Sequence, residues 1–228
     1  MTLDALGLTR LLQLASPALP VGAYSYSGAL ESAIEDGFVV DAASAERWIG
    51  DVLDYSLASY EAPVLWRLLQ ALRDDDREAY LRWNAMFRAG RETSELRAET
   101  LQMGRALQAL LAELSLCDDA ALSILRQAEQ LTFPAAYAFA AHHMRVDAKA
   151  ALIGYLWSWL ENQVMAALKA APVGQTAGQK ILAGLGARLP VIAEAAAQLA
   201  DDDLSNFAPG LAIASSRHEI QYSRLFRS

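Results

Sequence analysis

The stretch Thr93–Leu114 reads TSELRAETLQMGRALQALLAEL and shows most clearly the period that decides the fold. Its apolar side chains recur at the spacing of one helix face, at Leu96, Met103, Leu107, Leu110 and Leu114. Thr93 is a suitable N-cap, because its hydroxyl can accept from a free N–H of the first turn. Gly104 interrupts the helix at a cost of about 1 kcal/mol relative to alanine. We therefore expect another element to pass close to the backbone at Gly104.

The same helical period continues through most of the chain. Asp41 or Ser44 starts one predicted helix, and Pro63 begins or bends the next. Further helices are predicted over Asp76–Ala89, Asp118–Gln130, Pro134–Met144, Asp147–Ala170, Thr176–Ala187 and Pro190–Ala200. Only Phe38–Val40 hints at a strand, and three residues cannot form a sheet. The sequence therefore predicts an all-α fold, a single compact helical bundle of about ten helices over residues 1–228.

Composition limits the class of protein further. The chain has 228 residues, of which 54% are apolar and 20% charged, so it can bury a core and is not a disordered protein. The single cysteine, Cys117, excludes an internal disulfide and a CxxC metal site. The start lacks the basic region of a signal peptide, and no uncharged apolar run is long enough to span a membrane. We expect a soluble, cytoplasmic protein.

The charge of the chain argues against nucleic acid as a partner. The net charge is −8, so the chain has no general attraction to a phosphate backbone. Of its 19 cations, 16 are arginine, the cation best suited to protein interfaces. A GC-rich genome would enrich arginine codons equally well, so this bias leaves both explanations open.

Two segments near the ends are apolar and aromatic, where loops and termini are usually polar. Ala15–Tyr26 reads ASPALPVGAYSY, and the last residues read SSRHEIQYSRLFRS. Each can be part of the chain's own packing, as a buried turn or a last amphipathic helix, or a contact surface for a partner. We predict partner binding by Pro17, Pro20, Gly22, Tyr24, Tyr26, Arg217, His218, Glu219, Gln221, Tyr222, Arg224, Leu225, Phe226 and Arg227. Segment 1–26 and tail 217–228 are expected to be flexible in the free protein.

The helix predicted over Asp147–Ala170 is apolar nearly all round, which indicates burial on every side. Trp157 and Trp159 differ by about 200° around a helix, so they point in nearly opposite directions. One can face the chain's own core and the other a second subunit, although a central helix of one bundle also fits. We predict a homodimer with Tyr155 and Trp159 in its interface.

Groups able to carry out catalysis or bind metal are sparse. His142 and His143 diverge by about 100° on a helix and cannot chelate one ion together. Asp118 and Asp119 follow Cys117, and acidic neighbours disfavour a thiolate, which argues against a nucleophile at this position. The glycines of Gly174–Lys180 have the wrong spacing for a phosphate-binding loop, and no strand precedes them. We predict no catalytic, cofactor or metal site, but a helical enzyme with an apolar pocket stays open because catalytic residues can be far apart in sequence.

Four motifs in order resemble the urease accessory protein F family (UreF). They are LLQLASPALPVGAYSYSGALE at Leu11–Glu31, SELRAETLQMGRAL at Ser94–Leu107, SWLENQVMAALKAAPVGQTAGQ within Ala151–Lys180, and HEIQYSRLFRS at the end. The resemblance runs from about residue 10 to 228. Gly28-Ala29 replaces a glutamine-glycine pair that the family pattern leads us to expect.

This resemblance implies an all-helical protein without enzymatic activity, which dimerises and binds the urease accessory protein D/H. The pair then recruits the GTPase accessory protein G, and the assembly delivers nickel to apo-urease. Besides the helical enzyme, two alternatives remain at this point. The chain can regulate the GTPase by inserting an arginine such as Arg224 toward the nucleotide. It can also carry nickel directly, through His142, His143, His218 or Cys117.

Overall fold

A computed structural model describes residues 4–114 and 119–228 of the chain, and these residues form α-helices with no β-strand. The prediction of an all-α fold is confirmed. The helices are α1 Ala5–Ala15, α2 Leu30–Glu35, α3 Ala42–Val52, α4 Ala62–Arg73, α5 Arg77–Ala89, α6 Ser94–Glu113, α7 Asp119–Gln127, α8 Phe133–His143, α9 Ala148–Ala170, α10 Gln175–Gly186, α11 Leu189–Gln198 and α12 Pro209–His218. Short 3₁₀ turns lie at Ala23–Ser25 and Asp201–Asp203. No helix in the two described ranges is long and apolar enough to cross a membrane.

Side-chain caps fix the start of several helices. Asp41 accepts from the Ser44 N–H at 2.8 Å and Ser44 bonds back, which makes a capping box at α3. Asp76, Thr93 and Asp147 cap α5, α6 and α9 by accepting from the N–H three residues further on. Each cap satisfies an N–H that the first turn would otherwise leave unpaired.

Helices α3 and α4 form one continuous helix, joined by a π-helical segment at Leu53–Glu61. Pro63 is the physical reason for this irregularity, because it has no N–H to donate to the carbonyl of Ser59. The N–H of Ser205 donates to that carbonyl instead, at 3.1 Å. Pro63 therefore lies in the first turn of α4, as predicted, but α4 continues from the π-helical segment without a break. The wider turns before it carry Glu61 into the interior.

Helix α9 lies in the centre of the fold and packs against α1, α2, α3, α4, α8, α10 and α11. Leu152, Leu156, Leu160 and Val164 have no exposed surface, as the apolar sequence predicts. The prediction for Gly104 is also confirmed. A Cβ there would lie 2.4 Å from the carbonyl oxygen of Leu131, so only glycine lets α6 approach the start of α8 this closely.

Candidate functional site

The tail after α12 folds back onto the body of the protein. Phe226 is 6% exposed, and the ammonium of Lys169 lies 4.7 Å from the centre of its ring. The backbone N–H of Arg227 donates to the carbonyl of Ser25 at 2.8 Å. Ser228 is buried as well, and its hydroxyl donates to Glu99 at 2.7 Å. The last three residues are therefore anchored by both apolar and polar contacts.

Glu31 of α2 is the main polar anchor of this tail. Its two carboxylate oxygens accept from the N–H groups of Leu225, at 2.6 Å, and Phe226, at 2.8 Å. Glu31 is 9% exposed, so its carboxylate is largely removed from water and is satisfied by these donors, with Nε2 of His218 a further 3.3 Å away. The carboxylate therefore fixes the backbone of the tail through two charge-assisted hydrogen bonds.

His218, at the end of α12, joins the same network from a position with no exposed surface. Its Nδ1 lies 2.7 Å from Glu95 and its Nε2 lies 3.3 Å from Glu31. Glu95 also accepts from Arg224 at 2.7 Å. Glu31 of α2 and Glu95 of α6 thus both contact His218 at the start of the tail. Further along, Glu95 holds Arg224 and Glu31 holds Leu225.

The adjoining residues strengthen this attachment. Glu219 accepts from the backbone N–H of Ser94 at 2.9 Å and from its hydroxyl at 2.7 Å, in the first turn of α6. These hydrogen bonds lower the pKa of Glu219. Arg217 pairs with Asp36 at 2.7 Å on the surface.

The segment Ala15–Tyr26 is a compact turn between α1 and α2. Gly22 has φ +80°, which favours glycine, and it leads into the 3₁₀ turn. Pro17 and Pro20 are exposed, and Tyr24 is 71% exposed. Tyr26 is buried, and its hydroxyl donates to Gln102 at 2.6 Å. The segment thus combines an inward anchor with an outward apolar surface.

The two segments predicted from sequence meet in space, although about 200 residues separate them in the chain. The Arg227–Ser25 hydrogen bond joins them, and the N–H of Ser27 donates to the Ser228 carbonyl at 2.8 Å. We call the exposed apolar side chains of both segments the terminal surface. Its members are Pro17, Pro20, Tyr24, Ile220, Tyr222 and Leu225, and Tyr222 is fully exposed.

Some of the predicted partner-binding residues turn out to serve the chain's own fold. Tyr26, His218 and Phe226 are buried within the protomer, so they cannot touch a partner while the tail is docked. The guanidinium of Arg224 donates to Glu95 and to the backbone carbonyls of Gln221 and Glu219. Its N–H groups, which were expected to bind a partner, are therefore used within the chain. The sequence did not separate these anchors from the outward residues, because both kinds are aromatic or charged.

The two residues predicted at a dimer interface lie in different environments. Tyr155 is 4% exposed, and its hydroxyl donates to Glu61, so it belongs to the protomer core rather than to an interface. Trp159 is half-buried, and Trp157 is 37% exposed at the outer side of α9. The homodimer itself stays a prediction.

An ionic cluster lies in the interior beneath the Ala15–Tyr26 segment. Arg91 donates to Glu61 at 2.5 Å and stacks over the ring of Phe87 at 4.1 Å. Tyr155 donates to the other oxygen of Glu61. Glu99 lies nearby, and burial raises its pKa to about 7, from an ordinary 4.5. This cluster combines an ion pair with a second carboxyl, Glu99, which forms no ion pair among the described residues and interacts with the charge of Arg91 only at longer range.

The three histidines among the candidate metal ligands do not form one site, although the rings of His142 and His143 lie 5.2 Å apart. His142 is exposed, while His143 bonds the Phe139 carbonyl at 3.0 Å. His218 lies in the tail network, and Cys117 falls outside the described residues. Within residues 4–114 and 119–228, no group of three or more histidine, cysteine or acidic side chains is placed to hold a metal ion.

Four carboxylates hold the site together and were not predicted from the sequence, namely Glu31, Glu61, Glu95 and Glu99. Glu61 does leave a signal, because it stands in the otherwise apolar stretch of a helix next to Pro63. Glu31, Glu95 and Glu99 look like ordinary surface charges, since their donors come from the far end of the chain.

Comparison with known proteins gives one consistent result. Residues 39–186 match the family model described as UreF. The urease accessory protein UreF of Azoarcus sp. is 57% identical over 98% of this chain and 96% of its own length. The proteins of the same name from Janthinobacterium sp. and Methylobacillus flagellatus are 51% and 52% identical, over 99% and 97% of this chain and 100% and 97% of their own lengths.

Proposed function

The chain belongs to the UreF family of urease accessory proteins, and from this premise we propose that it is a non-enzymatic adaptor in urease maturation. In this role it binds the urease accessory protein D/H and recruits the GTPase accessory protein G. The assembly then delivers nickel to apo-urease. The chain contributes contact surfaces and no chemical step of its own.

The terminal surface is the observation that carries this proposal. Ile220, Tyr222 and Leu225 are 86%, 105% and 52% exposed, whereas Glu31 anchors the backbone at Leu225 and Phe226. Exposed apolar side chains on an ordered backbone lose little entropy on binding, which favours affinity. Aromatic side chains in such positions are frequent anchors of protein interfaces. We therefore place the D/H contact on this surface.

The test replaces exposed residues only, because deleting the tail would also remove His218 and Phe226 from the core. A Tyr222→Ser, Leu225→Ser double variant should lose co-purification with D/H, with affinity falling at least tenfold. Its circular dichroism spectrum should match the parent. The matched control is Phe207→Ser, which alters a side chain that is 77% exposed outside the terminal surface. Wild-type affinity in the double variant would refute the proposed contact.

Recruitment of the GTPase and nickel delivery are tested with the same variant. Gel filtration of the chain with D/H and G should give a ternary complex, and Tyr222→Ser, Leu225→Ser should abolish both this complex and urease activation in cells. A variant that activates urease normally would contradict the adaptor role.

No contact of Arg224 favours the alternative of GTPase regulation, because its guanidinium is occupied within the chain. Direct nickel transport is tested by equilibrium dialysis, in which the adaptor should bind Ni²⁺ more weakly than micromolar.

We also propose that the chain forms a homodimer, with Trp159 retained as the interface candidate. Light scattering of a Trp159→Ala variant, which adds no charge beside the core, should give the mass of a monomer where the parent gives that of a dimer, and its circular dichroism spectrum should match the parent. Tyr155 is not a suitable variant, since a charge there would disrupt the core. A parent protein that is monomeric at high concentration would refute the dimer.

A further inference from the structure

An apolar cavity of about 220 Å³ lies beneath the Ala15–Tyr26 segment. Its wall is formed by side chains of α1, the π-helical segment, α5, α6 and α9, among them Leu14, Leu57, Phe87, Met103 and Trp159. Tyr24 and Met165, which are 71% and 55% exposed, stand where the cavity approaches the surface. The cavity is therefore large enough for a small molecule and has a path to solvent.

The charges in this wall are unbalanced. Glu61, Glu99 and Glu161 line the cavity, and Arg91 is the cation among the described lining residues. Arg91 is already paired with Glu61 at 2.5 Å. Glu99 receives a hydrogen bond from the Ser228 hydroxyl, and no described contact gives it or Glu161 a cation. The cavity thus presents carboxyl groups that lack a partner of opposite charge.

Glu99 faces this space. It is enclosed by the surrounding protein, yet its side chain keeps accessible surface because it borders the cavity. Burial raises the pKa values of both Glu99 and Glu161, and at Glu99 the nearby charge of Arg91 offsets this effect only in part. A cation in the cavity would offset that cost.

Part of the cavity wall is aromatic, which bears on the kind of ligand that fits. Phe133, Tyr155 and Trp159 line the cavity together with Glu99. Ring faces attract cations, and apolar walls favour a ligand with an apolar body. A hydrated divalent metal fits poorly, because it needs several oxygen or nitrogen ligands at once. An anion would meet the unpaired carboxylates.

From the cavity, its unpaired carboxyl groups and its aromatic wall, we propose that this site binds a small organic cation, an ammonium ion on an alkyl or arylalkyl body. Glu99 pairs with the ammonium group and the aromatic wall covers the body. This inference does not depend on the adaptor function, although Pro17 and Tyr24 belong both to the terminal surface and to the lining of the cavity.

The test compares three probes of one shape that differ in charge. Benzylammonium should bind the purified chain at least tenfold more tightly than benzyl alcohol in calorimetric titration, and benzoate should not bind. In Glu99→Gln the preference for the ammonium over the alcohol should fall to about one. The alcohol should still bind, which shows that the cavity is intact. Glu113→Gln, an exposed residue on the same helix, is the control and should keep the full preference.

Equal binding of the ammonium and the alcohol by the parent would overturn the proposal, as would an unchanged preference in Glu99→Gln or no binding of either probe. The same ammonium group could come from a lysine side chain of a partner rather than from a free amine. Saturating benzylammonium should leave D/H binding unchanged if the occupant is a free amine, and loss of D/H binding would assign the site to a partner's lysine. Tyr222→Ser, Leu225→Ser should bind benzylammonium normally, which separates this site from the terminal surface.

Discussion

Removing one charge at Glu31 should release the tail without unfolding the body. In Glu31→Gln the amide oxygen can still accept from one of the two tail N–H groups, at Leu225 or Phe226. The new NH₂ group faces the other donor, so one charge-assisted hydrogen bond is lost. Such a bond between buried groups contributes about 1.5–3 kcal/mol. We take about 2 kcal/mol as the loss in docking free energy.

A loss of about 2 kcal/mol corresponds to roughly a thirtyfold increase in the opening equilibrium of the tail. Hydrogen exchange followed by mass spectrometry measures this directly, on peptides that cover residues 219–228. Exchange of the Leu225 and Phe226 amides should accelerate about thirtyfold in Glu31→Gln. Peptides from α9 should be unchanged, because local opening leaves the central helix intact.

The matched control is Glu35→Gln, an exposed residue on the same helix. It should change the free energy of opening of the tail by less than about 0.5 kcal/mol. Equal exchange in the parent and in Glu31→Gln would refute the anchoring role of Glu31. Exchange of the parent tail at the rate of an unfolded peptide would refute it too. That second result would instead confirm the prediction from sequence that the tail is flexible in the free protein.

Three further predictions concern stability. Gly104→Ala should lower the free energy of unfolding by about 2–3 kcal/mol in urea denaturation, because its Cβ meets backbone, whereas Gly210→Ala, with open space, should be neutral or stabilising. The pKa of Glu99 is higher in the folded chain than when unfolded, so wild-type stability should fall as pH rises from 4.5 through 7, by up to about 3 kcal/mol. Glu99→Gln should therefore gain stability over the parent between pH 5 and pH 8.5, and an equal slope in both would contradict the assignment. Tyr155→Phe removes a buried donor to Glu61 and should cost about 1–3 kcal/mol in thermal unfolding, against no effect for the exposed Tyr24→Phe.

Local chemistry made much of the fold predictable from sequence. Caps such as Asp41 and Thr93 act within one turn, and the apolar stripe of α6 marks its buried face. The close approach at Gly104 was predictable, because a glycine destabilises a helix interior and is tolerated where another element leaves no room for a side chain. That element is the backbone at Leu131. Leu114, the last member of that stripe, is 44% exposed, since the helix ends one residue before it.

Features that depend on distant residues were not predictable in this way. The π-helical segment requires Ser205 to bond the carbonyl that Pro63 leaves free, across more than 140 residues. The tail is fixed by Glu31, 194 residues before Leu225. Glu61 and Arg91 are each polar residues within helical patterns, and only the tertiary structure brings them into one buried pair. The outward and inward residues of the candidate site were inseparable for the same reason.

Hydrogen-exchange footprinting of the chain with and without D/H tests the adaptor account most directly. We predict that D/H slows exchange in residues 15–26 and 219–228 together, with the Tyr222→Ser, Leu225→Ser variant showing no such protection at the same concentrations. Protection confined to α10 and α11, with both terminal segments unchanged, would contradict the account.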